Sequence, residues 1–177
     1  MSKYPILAVG LRYGLVSGSL SAALFFAVTF FGENPLVVNK WFDYFLIPVL
    51  VFAGIREFRI YYNARALQFW QGVSVGFIIY VTTAVVFAAV IGTYLGTYGQ
   101  PWATDYVRSR VALVKENREA FTEELGEETY RRVLTEVQAT TTVDLVLDDS
   151  FRKLMIGMFV TLIVAMVQRR SPGQGIT

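Results

Sequence analysis

Not one charged side chain interrupts the chain between Trp70 and Thr97, and a second uncharged run extends from Tyr13 to Phe31. An α-helix rises about 1.5 Å per residue, so about 20 apolar residues cross the ~30 Å of hydrocarbon in a bilayer. Both runs reach that length. Composition agrees, with 54% apolar residues, 17% charged residues and a mean hydropathy of +0.46, against roughly 25% charged in soluble domains. These features predict an integral membrane protein built from α-helices.

Two shorter stretches complete a set of four. Trp41–Ile55, "WFDYFLIPVLVFAGI", carries Asp43 near its start and Pro48 inside it. Trp41, Phe42 and Tyr44 have the amphipathic aromatic character of a membrane interface. A proline is tolerated in a membrane helix where neighbours satisfy the freed carbonyl. Phe151–Val167 begins with Arg152 and Lys153, whose long stems are expected to snorkel to the headgroups. Asp149 or Ser150 is the expected N-cap of this fourth span. The expected fold class is therefore all-α and polytopic. Residues 1–177 form a single membrane domain with spans at 13–31, 41–55, 70–97 and 151–167. The first run is too long for a signal-peptide core of about 7–15 residues, so it is expected to be a retained helix.

Charge suggests an orientation. The connection after the second span holds Arg56, Arg59 and Arg65, and it shares a side with the terminal Lys3, Arg12, Arg169 and Arg170. By the positive-inside rule both termini are expected in the cytoplasm. Arg152 and Lys153 argue the other way.

Residues 98–150 differ in character: they hold 11 of the chain's 14 acidic residues and no long apolar run. Val107, Val111, Val114, Phe121 and Leu125 share one helical stripe, Gly126 closes it, and Tyr130, Val133, Leu134 and Val137 form a second. The pattern predicts an extracytoplasmic helical hairpin between spans three and four.

Two motifs have the spacing of close helix packing. "GLVSG" places Gly14 and Gly18 on one face, and "GVSVG" does the same with Gly72 and Gly76. Lipid supplies no hydrophobic drive between helices, so small residues that allow close van der Waals approach are the expected contact points. Gly92 and Gly96 extend that small surface. Asp43 is the single acidic residue within a proposed span. Its shallow position reads as interfacial capping or solvation, with proton or cation handling as the functional alternative. Arg56, Arg59 and Arg65 read as an interfacial basic loop that anchors two helix ends or meets anionic lipid.

Several chemistries have no support. The chain has neither histidine nor cysteine, which removes imidazole bases, thiolate nucleophiles and the usual transition-metal ligands. Asp144, Asp148 and Asp149 lack the spacing of a calcium loop, so no metal or cofactor is expected. A net charge of +2 gives little electrostatic basis for nucleic-acid binding.

The stretch "FAGIREFRIYYNARALQFWQGVSVGFIIY" resembles the hallmark of the DUF4199 family of small bacterial membrane proteins. Gly54, Ile55, Arg56, Arg59, Asn63, Leu67, Phe69 and Gly76 occupy its positions, and "FRKLMIGMFVTLIVAMVQRR" resembles its last helix. Arg65 and Ala66 stand where small residues usually follow the asparagine. The resemblance implies four helices and a bacterial cytoplasmic membrane, and no activity. The expected role is a non-enzymatic accessory or scaffold subunit, with the bilayer and a membrane-protein neighbour or second copy as partners. The outer hairpin would bind through its Val107–Val114 and Tyr130–Val137 stripes. The alternative is oligomeric permeation of a small solute or ion, with an intramembrane enzyme a more distant one, limited by the missing His and Cys.

Overall fold

A computed structural model describes residues 4–170. Lys3, counted above among the basic residues of the N-terminus, lies outside them. Among the described residues every regular element is helical: α1 (Pro5–Phe30), α2 (Pro35–Glu57), α3 (Phe69–Thr97), α4 (Gln100–Glu116), α5 (Arg118–Leu125), α6 (Glu127–Gln138) and α7 (Thr142–Gln168). Four of them are long and apolar enough to cross a membrane, namely α1, α2 with its continuation to Tyr62, α3 and α7.

Local chemistry sets the ends. Pro5 and Pro35 stand in the first turns of α1 and α2, where a missing N–H and a fixed φ suit helix initiation. The Asn34 side chain accepts from Leu36 N–H at 3.1 Å. Gln68 and Gln71 cap α3 reciprocally, and Thr141 and Asp144 do so for α7. The fourth long helix thus starts at Thr142 with Thr141 as its cap, more than two turns before the expected cap at Asp149 or Ser150. Asp149 is an interior helical residue, and the capping box at Thr141 is the stronger start signal. Likewise α2 begins at Pro35 rather than Trp41, which moves Asp43 well into the helix.

Beyond Glu57, α2 passes into a π-helical turn, Phe58–Tyr62. The connection to α3 then turns through positive φ at Ala64 (46°) and Arg65 (62°). Such values strain residues with a Cβ. The turn is held by Asn63 Nδ2, which donates to Ala66 O at 2.9 Å and to Gln71 Oε1 at 2.8 Å. Leu67, fully buried, exchanges backbone hydrogen bonds with Arg170, clipping this loop to the end of α7.

In the bundle α3 packs against α1 and α7, and α2 contacts all three. The glycine pairs do not meet each other. Gly14 and Gly18 face α3, where an added Cβ would come within 2.8 Å of the Ile79 carbonyl and 2.7 Å of Val86 Cβ respectively. Gly72 and Gly76 face α7, at Ala165 and Thr161. Gly10 extends the first row and Gly157 answers from α7. Gly92 makes only ordinary contacts and Gly96 has nothing within 4 Å, so the small surface does not continue as expected.

The core is layered. At the loop end Val9, Ile47, Val51, Ile55, Phe58, Leu67, Val75 and Ile79 form one apolar cluster. At the other end Ala22, Phe25, Phe87, Ile91 and Leu95 form a second. A third, of Ala103, Tyr106 and Leu145, seats α4 on the bundle. Within the hairpin α4 packs on α6, with Val114 and Tyr130 buried. The two apolar stripes thus meet at Val114 and Tyr130, while Val107, Val111, Val133, Leu134 and Val137 stay half-buried. Phe45, Val49, Phe77, Val85, Phe159 and Ile163 point outward from the long helices, as expected where the solvent is hydrocarbon.

Candidate functional site

The i, i+4 rows that build the core also carry charge into it. On α2 the inward row is Asn39, Asp43, Ile47, Val51 and Ile55; on α7 it is Lys153, Gly157, Thr161 and Ala165, with Asp149 one turn above Lys153. Asp43 is 1% exposed and Lys153 0%. Their side chains meet, Lys153 Nζ donating to Asp43 Oδ2 at 2.6 Å. Ser21 of α1 donates to the other Asp43 oxygen at 3.0 Å. Lys153 also donates to Asp149 and places its ammonium 3.7 Å from the centre of the Phe87 ring on α3. Arg152 donates to Asp149 Oδ1 at 3.0 Å. One buried cation thus touches side chains of α2, α3 and α7, and Ser21 joins α1 through the aspartate.

Two readings of the sequence are corrected here. Asp43 is not a shallow, solvated cap: it lies ~12 Å along α2 from the helix start, paired and enclosed. Lys153 does not snorkel outward. Its stem points into the bundle because Asp43 and Asp149 together offer a better-matched environment than hydrocarbon. The signal for this pairing was the shared i+4 register of polar and small residues on α7. No single sequence position reveals which aspartate a lysine more than 100 residues away will meet.

Elsewhere the expected basic loop divides. Arg56 and Arg65 are exposed, whereas Arg59 Nη1 donates to the Gln168 carbonyl at 3.2 Å and ties the π-helical turn to α7. Glu57, unremarked in the sequence, receives the Tyr13 hydroxyl at 2.8 Å and pairs with Arg12, joining α1 to the end of α2. Among the described residues no group of three or more acidic, His or Cys side chains is placed to hold a metal ion.

The charge cluster occupies one half of the bundle. Below Asp43, α2 presents Ile47, Val51 and Ile55 to Val75 and Ile79 of α3, all at most 1% exposed. The α2 and α3 side chains of that layer are apolar, and α7 adds the buried Thr161 against Gly76. Above it, the hairpin is tied to α2: Lys40 donates to the Tyr106 hydroxyl at 2.9 Å, and Asn34 bonds both the Trp102 carbonyl and Asp105 at 3.2 Å.

Four long apolar helices closed around a buried ion pair, with a helical hairpin on one end, define an all-α bundle of polytopic membrane type. More particularly, the chain belongs to the DUF4199 family, proteins of unknown function, whose model matches residues 12–170. No curated protein and no solved structure matches it.

Proposed function

We propose that this protein is a non-enzymatic accessory or scaffold subunit of the bacterial cytoplasmic membrane, with both termini in the cytoplasm and the α4–α6 hairpin outside. One observation carries the reading: the apolar layer of Ile47, Val51, Ile55, Val75 and Ile79 beneath the charge cluster. A filled apolar layer of this kind blocks ion or solute passage through one copy as a hydrophobic constriction does when dry. A sealed core suits a protein that holds others in place.

The orientation draws support from the ion pairs. Arg152 and Lys153, which opposed the positive-inside assignment, are neutralised within the bundle by Asp149 and Asp43. Of the basic residues at the loop end, Arg12, Arg56, Arg65, Arg169 and Arg170 are exposed. Besides the half-buried hairpin stripes, α7 offers a contact surface. Val143, Leu147 and Phe151 form an exposed i+4 apolar row, each more than 60% accessible, running from the hairpin level into the bundle.

Crosslinking in native membranes, with a photoreactive residue at Leu147, is expected to capture a neighbouring membrane protein or a second copy. Recovery of monomer alone would overturn the reading. The buried Asp43–Lys153 pair favours a second reading, permeation, because ionisable groups within a span are by default functional. Proteoliposomes that conduct a small ion, and lose conduction with Asp43→Asn, would support it in place of the first.

A further inference from the structure

One turn above the ion pair, toward the hairpin, lies a small void that the charge cluster does not fill. Asn39 is 2% exposed, and neither its Oδ1 nor its Nδ2 has a partner within the protein. It lines the void together with Asp149, while Phe25, Leu36, Phe87 and Ile91 contribute apolar walls. The space amounts to ≈ 10 Å³, about what one water molecule needs.

Charge decides the kind of guest. The two buried carboxylates, Asp43 and Asp149, are balanced by Lys153 and Arg152; Asp148, 3.8 Å from Arg152, is 77% exposed and its charge is met by solvent outside the cluster. A further cation or anion would leave unbalanced charge in an enclosed site, which is costly. A neutral molecule that both donates and accepts fits the groups present. Asn39 supplies a donor and an acceptor, and the Asp149 carboxylate has lone pairs beyond those taken by Lys153 and Arg152.

We propose that this void is a binding site for a single ordered water. The water accepts from Asn39 Nδ2–H, donates one hydrogen to Asn39 Oδ1 and donates the other to Asp149. That arrangement satisfies both ends of the carboxamide and uses both water hydrogens, within the two to four bonds typical of buried water. It joins α2 to α7 one turn from the Asp43–Lys153 pair, on the side of the hairpin. The hairpin end of the bundle is then held by three polar contacts: Lys40–Tyr106, the water and Asp43–Lys153.

The test uses the full chain in lipid nanodiscs, labelled with ¹⁵N-asparagine and examined by water-selective NOE and ROE spectroscopy. Asn39→Leu assigns the side-chain resonance and serves as the stability comparison. The expected result is a direct cross-peak between the Asn39 amide protons and a long-lived water, together with a lower melting temperature for Asn39→Leu, which strands Asp149 without its water. A dry void predicts the opposite, because leucine would then replace an unsatisfied amide and fill empty space. Absence of the water cross-peak, or a melting temperature for Asn39→Leu equal to or above that of the wild type, overturns the proposal. Should Asn39→Leu fail to assemble, the wild-type resonance is assigned by Asn39→Ser and its cross-peak alone decides.

Discussion

Lysine is the least expected residue at the centre of a helical bundle with apolar outer faces, and here it is the best connected. Removing Lys153 leaves Asp43 enclosed without a counter-charge, and breaking one side of a buried pair costs about 3–5 kcal/mol. Lys153→Met is therefore expected to lower stability by about that amount in mild-detergent unfolding. Adding Asp43→Leu should recover a large part of the loss, since a matched apolar pair carries no desolvation penalty. Strict additivity of the two changes would show that the side chains do not interact. Glycine makes a second residue-scale case. A methyl at Gly14 would press on the Ile79 carbonyl and Thr82, so Gly14→Ala is expected to cost about 1–3 kcal/mol through overpacking. Gly96→Ala has open space around it and should be neutral or stabilising by up to about 1 kcal/mol, from helix propensity. Equal melting temperatures for the two variants would contradict the close α1–α3 approach.

Among the elements, α7 departs furthest from its reading in the sequence. At 27 residues it extends ~40 Å, about 10 Å beyond a bilayer core, so its first turns serve the hairpin and its later ones the bundle. The start is chemical: Thr141 and Asp144 satisfy each other's backbone N–H groups. Thr141→Ala should cost about 0.5–2 kcal/mol and speed hydrogen exchange in the first turn of α7, with little change around Lys153. Uniformly faster exchange along α7 would mean that the cap is not a local device. The acidic run Asp148–Asp149 resembles a helix start when viewed as composition. It belongs to the helix interior because Arg152 and Lys153, three and four residues beyond Asp149, supply the partners that make it tolerable there. The α2–α3 connection follows the same logic. Ala64 and Arg65 hold strained positive φ because Asn63, Leu67 and Arg170 fix the chain on either side.

For the whole molecule, the sharpest prediction concerns sidedness. The chain contains no cysteine, so single cysteines report without background. A cysteine at Leu113 in α4 is expected to react with a membrane-impermeant maleimide added to intact cells, and one at Arg65 only after permeabilisation. Labelling of both from the same side would rule out four crossings. Several residues that carry the family resemblance also hold the bundle together. Gly54 packs on Tyr13 and Ile79, Leu67 is clipped to Arg170, and Gly76 receives Thr161. A shared pattern of that kind describes an architecture before it describes an activity.

The sequence alone determined that there would be four long helices and a polar, acidic insertion before the last. Hydrocarbon thickness and backbone hydrogen bonding act locally along the chain, so run length and charge content reveal them. Which faces meet was decided only in three dimensions. Asp43 reads as an edge residue and Lys153 as a snorkelling one until α2 and α7 lie side by side. A buried charge is acceptable only when its partner arrives, and Coulomb attraction depends on distance in space, about which separation along the chain carries no information.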